Sequence, residues 1–163
     1  MTRKELTDAF NSLSIEERKQ FLQTLSQTEY KKFIKDLGDQ AVQDYWDNER
    51  ELVKQGKGTR NWTVEQQNAI LNKDSNGIEL KHAGTPKGMD GVAFQGQHMY
   101  AVDAYPEYAG DYKNIQALHG SAFVSGTEHN LAYAGNASNQ THGFYDEITV
   151  EFSIILNSVD LSS

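Results

Sequence analysis

The chain has no cysteine, so neither a disulfide nor a thiolate zinc site is open to it. Any metal must sit on imidazole, carboxylate, amide or water oxygen, donors that suit magnesium, manganese, nickel or a histidine-rich zinc site. No apolar run approaches the roughly 20 residues of a membrane-spanning helix. Met1-Thr2-Arg3-Lys4-Glu5 leads into a polar helix rather than the apolar segment of a signal peptide. A domain cut from a larger exported protein would begin in the same way. Basic charge is also scarce in the later part. Residues 1–58 carry 10 basic and 11 acidic side chains, whereas residues 59–163 carry 5 basic and 12 acidic, a net of −7. That sign opposes the basic footprint of a surface that neutralises phosphates, and it suits a plain acidic domain.

What is present suits one domain with a helical appendage: 163 residues, with seven Phe, eight Tyr and two Trp to fill a core. The first third is patterned for helices. Leu6, Phe10 and Leu13, then Phe21, Leu22 and Leu25, then Phe33, Ile34 and Leu37, then Val42, Tyr45 and Trp46 fall at helical spacing. Thr2-x-x-Glu5, Ser14-x-x-Glu17 and Ser26-x-x-Glu29 fit the capping box that satisfies free N–H groups at a helix start. Gly38 reads as a helix stop, giving three short helices and then a longer one over about 39–54. Gln55 to Thr59 breaks the pattern and divides a helical region, 1–58, from a second domain, 59–163. The first region reads equally as a delivery or docking segment and as a cap on the second. Thr63-x-x-Gln66 opens a helix from Val64 to about Leu71. Residues 73–91 read as loop, with a short strand at Ile78–Leu80. Residues 92–102 read as extended, with His98 on the face opposite Gln97 unless a bend at Gly96 changes the alternation. A loop or short helix at Tyr105-Pro106-Glu107, a strand from Asn114 to Leu118, a Thr127-capped helix from Glu128 to about Ala134 and a strand from Ile148 to Leu156 complete the reading.

Chemistry gathers around His98. On a strand after a glycine, its imidazole can project into a cleft, and a neutral histidine is the usual group to take a proton from water near pH 7. Asn114 follows 16 residues later, far enough for a returning strand to bring its amide beside the first. His129, near a helix start, adds an imidazole able to bind a metal. Residue type alone equally fits a structural histidine, a turn asparagine and helix first-turn residues at Glu128 and His129.

Several stretches together carry a resemblance: Asn61-Trp62-Thr63-Val64-Glu65-Gln66-Gln67-Asn68-Ala69-Ile70-Leu71, Gly96-Gln97-His98-Met99-Tyr100-Ala101-Val102, Tyr105-Pro106, Lys113-Asn114-Ile115-Gln116-Ala117-Leu118 and Glu128-His129. In this order they resemble the HNH/endonuclease VII-type (Gly-His-His) nuclease domains of bacterial polymorphic toxins, of the contact-dependent, Rhs and LXG types. The likeness covers about residues 59–145. It implies an α+β chain: a helical N-terminal region followed by a ββα-metal (His-Me finger, HNH-like) domain. It also implies divalent-metal-dependent cleavage of nucleic acid, DNA ahead of RNA. The implied setting is interbacterial competition, with delivery into a target bacterial cytoplasm as part of a larger toxin and a cognate immunity protein as partner. His98 then matches the second His of the motif, the general base. Asn114 matches the structural Asn, His129 a metal-ligand His on the helix, and Glu128 the Glu that precedes it.

Two positions depart from the family pattern. Gln97 stands where the first His, a metal ligand, is expected. Tyr133 stands four residues after His129, where a second helical His would share its face. A glutamine gives one carbonyl oxygen and is a poorer ligand than imidazole for transition metals. Tyrosine keeps its proton at neutral pH. Either this copy is crippled in its metal step, or it has diverged so that His119 or His142 supplies a ligand. Two rivals stand beside this reading: a catalytically dead protein-binding module on the same fold, and a different hydrolase built on Asp103, Glu107 and Asp111.

Overall fold

Four capping boxes set the helical frame. In each, the N-cap hydroxyl accepts from the backbone N–H three residues on, and the side chain there accepts from the N-cap N–H: Thr2 with Glu5, Ser14 with Glu17, Ser26 with Glu29 and Thr63 with Gln66. A computed structural model describes residues 1–120 together with the strand segments 143–146 and 151–154. Among the described residues the helices are α1 (Arg3–Asn11), α2 (Ile15–Gln23), α3 (Gln27–Lys54) and α4 (Val64–Leu71). Strands β1 (Phe94–His98) and β2 (Ile115–His119) pair antiparallel, as do β3 (Gly143–Asp146) and β4 (Glu151–Ile154). The architecture is therefore α+β. The helix expected from Glu128 lies outside the described residues. No helix among those described is long and apolar enough to cross a membrane.

Gly38 does not stop a helix. The expected third and fourth helices are one, the 28-residue α3. Glycine costs about 1 kcal/mol inside a helix, and the packing on both sides of it outweighs that. Leu37, Gln40, Ala41, Tyr45, Trp46, Glu49, Arg50 and Val53 form a buried stripe three or four residues apart. The lower part of the stripe, at Leu37, joins Phe10, Leu22 and Ala109 in one cluster. The upper part joins Trp62, Ile70, Phe94, Ile115 and Ala117 in another. The core thus crosses residue 58. Fully buried side chains such as Leu37 and Ile70 each contribute about 2 kcal/mol relative to exposure.

Glu49, fully buried on α3, fixes the turn that follows the helix. It accepts from the Thr59 N–H at 3.1 Å and from Trp62 Nε1 at 2.7 Å. Arg50 donates to the Leu80 and Lys81 carbonyls, and Asp47 accepts from the Ala83 N–H, so α3 also holds the long loop after α4. The strand expected at Ile78–Leu80 is only an isolated bridge between Lys73 and Glu79. Asp74 Oδ1 accepts from the N–H groups of Asn76 and Ile78 and curls this segment into a turn, which leaves no run for pairing. The extended stretch expected over 92–102 narrows to β1. At its end the main chain leaves the ladder for a loop containing two short 3-10 turns, Pro106–Tyr108 and Tyr112–Asn114.

Candidate active site

Pairing in the hairpin is unbroken: Phe94 faces His119, Gln95 Leu118, Gly96 Ala117, Gln97 Gln116 and His98 Ile115. Gly96 therefore introduces no bend, and the alternation holds. Phe94, Gly96 and His98 share a face with Ile115, Ala117 and His119, and Gln97 lies on the other. The first face lies against α3. A Cβ at Gly96 would come within 2.9 Å of Ile115 Cγ2 and 3.1 Å of Val42 Cγ1. A Cβ at Gly38 would lie 3.5 Å from Cε1 of His98.

His98 is half-buried, and its Nε2 lies 3.0 Å from the Ala109 carbonyl oxygen. A carbonyl only accepts, so Nε2 carries the proton and Nδ1 keeps the lone pair. Burial pushes the His98 pKa down, against smaller upward pulls from the Ala109 carbonyl and the Asp39 carboxylate. The ring is consequently neutral at pH 7, the state a general base needs. The same shift has a consequence for stability. A histidine held below its unfolded value of about 6.5 takes up protons more readily when unfolded, so its contribution is intact above that pH and is lost as pH falls toward the folded value. Chemical denaturation at pH 7.5 and 5.0 (roughly either side of the unfolded value) is expected to show a larger loss of stability for the native chain than for His98→Gln. Equal losses would refute the shift.

Asn114, expected to open the strand, is fully buried at the end of the second 3-10 turn, one residue before β2. Its Oδ1 accepts from the Tyr100 N–H at 2.7 Å, and its Nδ2 donates to the Tyr100 and Tyr108 carbonyls at 3.2 and 3.3 Å. The amide closes the loop that leaves β1 and returns through Ala109, with the Tyr100 ring packed 5.0 and 4.7 Å from those of Tyr105 and Tyr108. His98, Asn114 and Ala109 thus form one constellation. The Ala109 carbonyl was not foreseen, since a main-chain acceptor leaves no mark on residue type.

The other expected residues fall elsewhere. His119 shares the His98 face but pairs with Phe94, at the far end of β1, about 13 Å away at strand spacing. There its Nε2 lies 2.9 Å from Asp90 Oδ1. Glu128, His129, Tyr133 and His142 lie outside the described residues. Asp103 is exposed, Glu107 is buried, and Asp111 Oδ1 accepts from the Lys113 N–H. Among the described residues no three His, Asp or Glu side chains come together to hold a metal, and the expected ligand positions among them, Gln97 and His119, lie on opposite faces of the hairpin. With one amide oxygen on one face and His98 turned to the other, these donors do not make a metal centre.

Comparison with curated proteins gives no match. A family model described as "GHH signature containing HNH/Endo VII superfamily nuclease toxin" matches residues 28–119, more than half of the chain, from the second residue of α3 to the last of β2. The hairpin with Gly96, the His98 contact to Ala109 and the Asn114 brace lie inside that span, and the chain belongs to this family of HNH/Endo VII superfamily nuclease toxins.

Proposed function

We propose that the chain is the toxin domain of a bacterial polymorphic toxin. In its active form such a domain hydrolyses phosphodiester bonds of nucleic acid, DNA ahead of RNA, with the residue at the His98 position as the base that takes a proton from water. In this reading residues 1–58 carry the helical region and 59–163 the nuclease domain, with α3 as the floor beneath the hairpin. The observation that carries the reading is the bond between His98 Nε2 and the Ala109 carbonyl, which leaves a neutral imidazole with its Nδ1 lone pair free of that bond. Asn114 holds the loop that bears the carbonyl. The superfamily generally uses a divalent metal, expected here as Mg, Mn, Ni or Zn at His129 and positions 97 and 133. A glutamine amide at 97 and a protonated phenol at 133 are weak donors, so the chain as it stands has low or no activity. A cognate immunity protein completes the system, and the domain works after delivery into a target bacterial cytoplasm.

A plasmid-nicking assay with each of the four metals tests this. The native chain is expected to leave plasmid supercoiled, and Gln97→His combined with Tyr133→His to gain cleavage that His98→Ala abolishes. Robust cleavage by the native chain would overturn the impaired-metal part. The net charge of −7 over residues 59–163 favours a second reading, a catalytically dead protein-binding module. Tight capture of a protein partner, with no cleavage after both histidines are restored, would decide for it.

A further inference from the structure

The loop between β1 and β2 does not hold the Ala109 carbonyl alone. Asn11, the last residue of α1, donates from Nδ2 to the Gly110 carbonyl at 2.9 Å. Arg18 of α2, almost fully buried, donates to the Glu107 carbonyl at 3.2 Å. Its other nitrogens hold the Leu13 carbonyl at 3.1 Å and the Asn11 carbonyl at 2.6 Å. One guanidinium thus ties the end of α1, the start of α2 and the loop together through main-chain acceptors, a task its planar fork of donors suits. The two gripped loop residues, Glu107 and Gly110, flank Ala109 itself. The fit is close: a Cβ at Gly110 would meet Leu37 Cδ2 at 3.0 Å, Asn11 Oδ1 at 3.1 Å and Thr7 Cγ2 at 3.2 Å. Both α1 and α2 precede residue 28, where the family match begins.

We infer that α1 and α2 belong to the active-site apparatus: Asn11 and Arg18 are positioning residues that hold the Ala109 carbonyl against His98. A hydrogen bond of 3.0 Å is lost if the loop drifts by about 1 Å. The imidazole then loses the contact that keeps the proton on Nε2 and the ring in place. The bearing on catalysis rests on His98 being the base. The contact itself does not.

The test measures exchange with water of the His98 Nε2 proton by NMR on the full chain above pH 7.5. The bond to Ala109 is expected to protect this proton in the native chain. Asn11→Ala and Arg18→Lys are each expected to speed its exchange about tenfold, the weight of one lost hydrogen bond. Ser14→Ala, which weakens the α2 cap without touching the loop, is expected to leave it at the native rate. Native rates in Asn11→Ala overturn the inference, as does equal acceleration by Ser14→Ala. If Arg18→Lys does not fold, Asn11→Ala decides alone. In the Gln97→His, Tyr133→His background, Asn11→Ala is expected to lower kcat with KM unchanged. Full cleavage by His98→Ala in that background would sink the reading of His98 as the base while the exchange result stood.

Discussion

Asn114→Ala is expected to cost about 3 kcal/mol of folding stability and to abolish whatever cleavage the site supports. The side chain is fully buried and serves three main-chain groups, the Tyr100 N–H and the Tyr100 and Tyr108 carbonyls. Each such group left unpaired in the interior costs about 1–3 kcal/mol, and water entering the space vacated by the amide recovers part of the total. The loss is not confined to stability. Tyr108 lies next to Ala109, so freeing its carbonyl loosens the segment that carries the His98 partner. Urea denaturation checks the first part through a lower midpoint at unchanged slope. The nicking assay on the metal-restored chain checks the second. A change under about 1 kcal/mol would mean that other groups, not this amide, close the loop.

The helix starts were legible because a capping box is a local device. Two side chains three residues apart both donate the signal and receive the benefit, so Thr2, Ser14, Ser26 and Thr63 could be read in place. The same local logic failed at Gly38. Its low helix propensity is a local property, but what it accommodates, the His98 ring, lies 60 residues away in sequence. Within the site, His98 and Asn114 stood out by residue type and spacing, and the antiparallel pairing brings them to one end of the hairpin. What fixes them could not be read. The Ala109 carbonyl is main chain. Asn11 and Arg18 reach the loop across 99 and 89 residues, through helices whose pattern reads only as amphipathic surface. Glu49 was hidden for a similar reason, since in the sequence it is one more acid in a charged helix. In the fold its carboxylate meets the Thr59 N–H and the Trp62 indole.

Gly96→Val is expected to cost about 3 kcal/mol, and Val42→Ala to recover roughly half of that when combined with it. The Cβ alone would stand 2.9 Å from Ile115 Cγ2 and 3.1 and 3.2 Å from the two Val42 methyl carbons. Both neighbours are β-branched and stiff at χ1, so neither swings aside cheaply. Gly96 and His98, two apart on β1, point to the same face at a spacing of about 6.6 Å. Gly38 and Val42, one turn apart on α3, lie on one side of the helix about 6 Å apart. The two spacings match, so helix and strand meet at two points: the Val42 side chain fills the gap over Gly96, and the His98 ring lies over Gly38, where a Cβ would meet it at an ordinary 3.5 Å. A valine at 96 therefore lifts α3 from the strand at one contact and withdraws its support of the His98 ring at the other. A double-mutant cycle in urea measures the coupling. Strict additivity of Gly96→Val and Val42→Ala would show that the two sites do not touch. A coupling of about 1 kcal/mol or more would explain in steric terms why the residue two before His98 is glycine.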